Sequence, residues 1–166
     1  RPDGRSVEIQ RLIGRALRSI FRADLLGERT IWVDCDVLQA DGGTRTAAIT
    51  GAWVALCDLC SDLEKKRRLR AWPLADQVAA LSVGVVDGQV LADLDYAEDS
   101  RAQVDMNLVM TASGRFIEVQ GAAEGEPFEA SQLQGLLAVG QAGLARLFAA
   151  QQAALGQVEP AAGARP

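Results

Sequence analysis

Two short stretches limit the fold more than anything else in this chain. Residues 78–95, VAALSVGVVDGQVLADLD, set apolar runs on either side of Asp87-Gly88. QVDMNLVMT and RFIEVQG do the same around Ser113-Gly114. Asp-Gly between apolar runs is the strongest short signal for a two-residue hairpin, because both central residues of that turn need positive φ. Two hairpins imply at least four strands, antiparallel in this half of the chain. Alternation with period two places Asp105 on the face opposite Val104 and Met106.

Three helices surround these hairpins. Ser6 is placed to cap a helix whose apolar residues Ile9, Leu12, Ile13, Ala16, Leu17, Ile20 and Phe21 share one face, with Gly27 ending it. Arg11, Arg15, Arg18 and Arg22, spaced four, three and four apart, form a stripe on the other face. That stripe suits a solvated face, a subunit contact or RNA. TIWVDCDVL alternates Ile31, Val33, Cys35 and Val37 against Trp32, Asp34 and Asp36, which predicts a strand and brings the expected sheet to about five. A second helix is expected from Thr46 to Leu63, ending in the charged run EKKRRLR, either a polar loop or an RNA clamp. A third is expected from Ser131 to Gln152. Helix, strand, helix, four strands and helix make an α+β domain over residues 1–152. Residues 153–166, rich in Pro, Gly and Ala, are expected to be a disordered tail.

Charge narrows the partners. With 17 basic and 22 acidic side chains the net charge is −5, so a polyanion would need a local basic patch. Cys57 and Cys60 form a C-x-x-C without histidine or a second pair, which leaves a zinc site short of ligands. They read as buried reduced thiols, with a redox pair as the alternative, and an odd total of three cysteines suits the cytosol. No stretch approaches a bilayer-spanning apolar run, and no leader precedes the first helix. The chain starts at Arg1-Pro2 without an initiator Met, which suggests a fragment or a processed product.

Chemistry concentrates in two places. The turn DGGTRT, at the expected start of the second helix, offers unpaired backbone amides, a threonine hydroxyl and the Arg45 guanidinium. Together these fit an anion site, although a plain strand-to-helix turn uses the same residues. DLDYAEDSRAQVDMN carries Asp93, Asp95, Glu98, Asp99 and Asp105. Asp99 at a strand end and Asp105 on the next strand could share one Mg²⁺, or they could simply be solvated hairpin acids. A phosphate cradle beside a metal site points to phosphoryl chemistry. The missing histidine removes the usual general base, and a nucleophile already ionised, such as inorganic phosphate, would not need one.

GRSVEIQRLIGRALR, IWVDCDVLQADGGTRTAAITGA, LSVGVVDG, EDSRAQVDMN and RFIEVQG, in this order, resemble the ribonuclease PH family from about Gly4 to Gln152. The resemblance implies a mixed β-sheet packed against helices, similar to the second domain of ribosomal protein S5. It implies a phosphate-dependent 3′ exoribonuclease that trims tRNA precursors, releases nucleoside diphosphates and runs in reverse as a nucleotidyltransferase. It further implies a cytoplasmic homo-hexamer built as a trimer of dimers, with Mg²⁺ as cofactor. Phosphate would fall to Arg5, Gly43, Thr44 and Arg45, and catalysis and metal to Asp99 and Asp105. Two departures stand out: QGAAEGEPFEA replaces the family's QGTGEEATF, and the family's N-terminal half has no counterpart, which should leave an apolar patch exposed. The alternative is a ring-forming subunit without catalysis, or an inactive fragment.

Overall fold

The computed structural model describes residues 4–156, apart from the Arg5 side chain. Its elements are α1 (Gly4–Ile20), a 3₁₀ turn (Ala23–Leu25), α2 (Thr44–Lys65), β1 (Val78–Val86), β2 (Gln89–Ala92), α3 (Tyr96–Asp99), β3 (Val104–Thr111), β4 (Phe116–Ala123) and α4 (Ala130–Ala154). The α+β architecture is as expected. The sheet has four strands in the order β2-β1-β3-β4, antiparallel throughout.

Both hairpins form. Val85 pairs with Val90 and Val86 with Gln89, leaving Asp87 and Gly88 as the two-residue loop, with φ of 50° and 75°. All nine residues of β1 are buried, as a strand covered on both faces must be. On one face Val78, Ala80 and Val109 pack under Leu12, Ala16 and Ile20 of α1 and Ile49, Trp53 and Leu56 of α2. On the other, Leu81, Val83, Met106 and Leu108 pack under Leu136 and Leu144 of α4. By length and composition α2 and α4 could each cross a bilayer, contrary to the expectation above. Each instead lays an apolar side on the sheet.

The start of β1 extends beyond β2, so its outer edge needs other partners. The Thr50 hydroxyl accepts from Ala80 N at 3.1 Å and donates to Ala80 O at 3.3 Å. Gln151 Nε2 donates to Val78 O and to Thr50 O, both at 2.9 Å, while its Oε1 accepts from Gln77 Nε2 at 2.7 Å. Gln151 is 3% exposed, and this amide network joins the end of α4 to α2 and β1.

Three expectations are corrected. Residues 30–40 are irregular, not a strand, because a strand exists only through its neighbours and the four described strands pair among themselves. The alternating side chains therefore lie open, with Trp32 89% and Leu38 93% exposed, beside a groove of about 710 Å³ against Ala48, Gly51 and Ala55 of α2. The exposed apolar patch is thus where that segment meets α2. Ser6 lies inside the first turn of α1 instead of capping it, since the helix begins at Gly4. Asp99 ends the short helix α3 instead of a strand.

Cys57 and Cys60 are buried and unpaired in α2. Burial and the neighbouring Cys60 and Asp58 push the Cys57 thiol up to about 12, and burial and Glu64 push Cys60 up to about 11. Both stay protonated at neutral pH, as packed thiols and not a redox pair. The arginine stripe is exposed; Arg15 pairs with Glu118 of β4 at 2.5 Å and Arg22 with Asp24 at 3.2 Å. The domain boundary drawn at residue 152 falls two residues short of the end of α4, and most of the expected tail, residues 157–166, lies outside the described residues.

Candidate active site

The site grows from the turn before α2. Gly42 and Gly43 adopt φ of 78° and 56°, left-handed values that cost other residues energy. Gly43 is the N-cap: its carbonyl accepts from Ala47 N at 3.0 Å and from Thr46 Oγ1 at 2.8 Å. The amides of Thr44, Arg45 and Thr46 come before the first intrahelical bond, so they are free to meet an anion at the positive end of a 22-residue helix. Arg45 stands beside them, 3.4 Å from Glu8 of α1.

Gly42 is also a docking point. A Cβ there would run into the Leu94 carbonyl oxygen and come within 3.0 Å of the Asp95 carbonyl carbon. Asp41 Oδ1 accepts from Tyr96 N at 3.1 Å. The glycine turn thus holds the segment that leads into α3. Asp95 caps that helix, accepting from Glu98 N at 2.8 Å, while Glu98 Oε2 accepts from Asp95 N at 3.2 Å. At its end stands Asp99, whose carbonyl accepts from Ala102 N at 3.2 Å just before β3.

Asp105 lies half-buried on β3, opposite Gly84 of β1. Burial raises its carboxyl above the ordinary value, Asp99 and Glu124 raise it further, and Arg45 opposes them. Residues from α2, α3, β3 and the segment after β4 therefore meet electrostatically at one place. Arg45 and Asp99, named with Asp105 from the sequence, both act on the Asp105 carboxyl through their charge. Gly43 and Thr44 lie in the same turn, and the Arg5 side chain lies outside the described residues.

The donor set fits a hard cation. Asp105, whose proton affinity is raised by burial and by the charge of Asp99, is the kind of carboxylate a divalent ion relieves, and Mg²⁺ takes one or two carboxylates plus water and phosphate oxygens. Among the described residues no cluster of three or more His, Cys, Asp or Glu side chains could hold an ion by protein ligands alone. Four residues at the site escaped the sequence reading. Glu8 and Glu124 arrive from distant segments, and Ser82 and Asn107 are lone polar residues inside apolar strands.

Residues 1–61 match domain 1, and residues 76–143 domain 2, of the 3′ exoribonuclease family. The chain belongs to that family, the ribonuclease PH family. It is 58% identical over 152 residues to Ribonuclease PH of Synechococcus sp. (strain CC9605), covering 92% of this chain and 62% of that protein. It is 56% identical over 158 residues to Ribonuclease PH of Moorella thermoacetica, covering 95% of this chain and 63% of the relative. The chain thus spans a little under two thirds of the relatives' length. Rice (Oryza sativa) Rrp46 shares the fold at a TM-score of 0.68 and 18% identity, over 94% of this chain and 68% of that one. A chain of the Archaeoglobus fulgidus exosome with RNA bound to the active site matches at 0.60 and 18%, over 89% and 62%.

Proposed function

We propose that the full-length protein is a phosphate-dependent 3′-to-5′ exoribonuclease that trims tRNA precursors and releases nucleoside diphosphates, reversibly. The observation that carries this reading is that the charges of Asp99 and of Arg45, at the open N-terminus of α2, both act on the Asp105 carboxyl. The names of the relatives support it.

Inorganic phosphate sits at the Gly43 turn and the amides of Thr44 and Arg45 that open α2, with the Arg45 guanidinium gripping its oxygens; the family resemblance assigns Arg5 to the same anion. Held there, a phosphate oxygen attacks the phosphorus of the terminal phosphodiester. The bond from phosphorus to the 3′ oxygen of the penultimate nucleotide breaks, and that oxygen takes up a proton. The products are a nucleoside diphosphate and RNA shorter by one residue. Asp99 and Asp105 would hold Mg²⁺, which would supply charge neutralisation when bound. No histidine is required, since the nucleophile is already an anion.

The protein acts as a cytoplasmic homo-hexamer, a trimer of dimers, in which the part of the protein beyond this chain covers the 30–40 segment. The presence of Gly43, Arg45, Asp99 and Asp105 together argues against a ring subunit that has lost catalysis. Arg45→Ala and Asp105→Ala in the full-length protein, assayed for diphosphate release from RNA with a 3′ extension, are expected to lose at least ~100-fold in rate while folding normally. Near-normal turnover by either removes the reading.

A further inference from the structure

The sheet beneath the glycine turn holds an anomaly. Ser82, the one hydroxyl residue in β1, is 4% exposed, and its Oγ is buried without a hydrogen-bond partner among the described residues. Buried hydroxyls are nearly always satisfied, and an orphan costs the fold stability unless a ligand or water meets it. The hydroxyls of Thr46 and Thr50, which lie between α2 and the sheet, are spent. Thr46 Oγ1 donates to Gly43 O, and Thr50 Oγ1 is engaged with Thr46 O and the Ala80 backbone. Ser82 is the exception, and it lies directly under the turn. The place that a Cβ on Gly43 would take is 3.6 Å from Ser82 Oγ and 3.4 Å from Thr46 Oγ1.

Its neighbour tells the same story. Asn107, the cross-strand partner of Ser82, is 7% exposed and makes no side-chain hydrogen bond to a described residue. Ser82 and Asn107 share a face with Asp105, one pleat away along β3. Unspent hydrogen-bonding groups thus border Asp105 on the side of the glycine turn, where a ligand rich in acceptor oxygens belongs.

We propose that Ser82 is part of the anion site, its hydroxyl donating to an oxygen of the phosphate seated at the N-terminus of α2. The contact forms as the Gly42–Gly43 turn adjusts around the anion. This rests on the phosphorolytic reading of the site and adds to it a residue on the sheet side of the turn. The role also accounts for glycine at position 43, where a side chain would stand between the turn and the hydroxyl.

The test is calorimetric titration of inorganic phosphate into the full-length protein, wild type and Ser82→Ala, alongside urea unfolding in phosphate-free buffer. A hydrogen bond to a charged acceptor lost on substitution should weaken phosphate binding about ten-fold or more. Removing an orphan hydroxyl should leave the unfolding midpoint unchanged or higher. In turnover the KM for phosphate should rise while the KM for RNA stays within two-fold. Ser82→Cys keeps the volume with a weak donor and should behave like the alanine variant. Phosphate affinity within two-fold of wild type in Ser82→Ala overturns the inference. So does rescue by Ser82→Cys, or a drop in stability without loss of affinity, either of which marks a packing role. Absence of phosphate binding by the wild type would instead remove the phosphorolytic reading, and this inference with it.

Discussion

Gly42 and Gly43 look interchangeable in the sequence, and the structure says they are not. Both hold positive φ, so alanine at either costs about 1–2 kcal/mol of backbone strain. At Gly43 the nearest atoms to a new Cβ are 3.4 and 3.6 Å away, ordinary contact, so strain is the whole cost. At Gly42 the Cβ overlaps the Leu94 carbonyl oxygen and crowds the Asp95 backbone, neither of which is a flexible side-chain end. Overpacking against backbone adds about 1–3 kcal/mol, for a total of about 2–5 kcal/mol. The assay is urea unfolding of the two full-length variants at one protein concentration, with phosphate titration of each. Gly42→Ala should lower the midpoint about twice as far as Gly43→Ala and should also displace the segment that carries Asp99. Equal losses, or a larger one at Gly43, would refute the idea that Gly42 joins the phosphate turn to the α3 segment.

Other consequences can be checked alongside. Asp105 is an acid whose folded pKa lies above the ordinary 3.8, so its native state holds the proton to higher pH than the unfolded chain does. Its charge therefore reduces stability as pH rises through that window, and Asp105→Asn should be more stable than wild type at pH 7. That advantage should fade as pH falls toward the ordinary carboxylate value, and turnover should be lost throughout. A destabilised Asp105→Asn at neutral pH would contradict the burial and Asp99 repulsion argued for it. Gln151→Leu removes three hydrogen bonds at about 1 kcal/mol each and leaves the Val78 carbonyl without its side-chain partner at the sheet edge. A loss of about 3 kcal/mol in chemical unfolding is expected, and a change below about 1 kcal/mol would show that α4 is not tied through this amide. Asp95→Ala breaks the capping box of α3 and should cost about 1 kcal/mol. Because Asp99 ends that helix, turnover at limiting Mg²⁺ should fall more than stability does, and an unchanged Mg²⁺ dependence would argue against the capping role.

What the sequence made legible was local. Asp87-Gly88 set the first hairpin register because its turn geometry is contained in two residues, and the 3.6-residue spacing of Leu12, Ala16 and Ile20 marked α1. Residues 30–40 misled because alternation records which side chains want burial, not whether a neighbouring strand is present. α3 was missed although Asp95 and Glu98 have the capping-box spacing; four residues are too few for periodicity. In the site, Arg45, Asp99 and Asp105 stood out by charge and motif. Glu8 and Glu124 could not, since only the packing of α1 and the course of the chain after β4 bring them near. Ser82 carried a faint signal, a single hydroxyl inside an otherwise apolar strand.

The central claim is that phosphate, not water, breaks the terminal bond. The most direct test incubates the full-length protein with RNA bearing a 3′ extension and isotopically labelled inorganic phosphate, then locates the label in the released nucleotides. Phosphorolysis would give nucleoside diphosphates with the label in the β-phosphate, released only when phosphate and Mg²⁺ are both present. Nucleoside monophosphates without label, released whether or not phosphate is added, would contradict it.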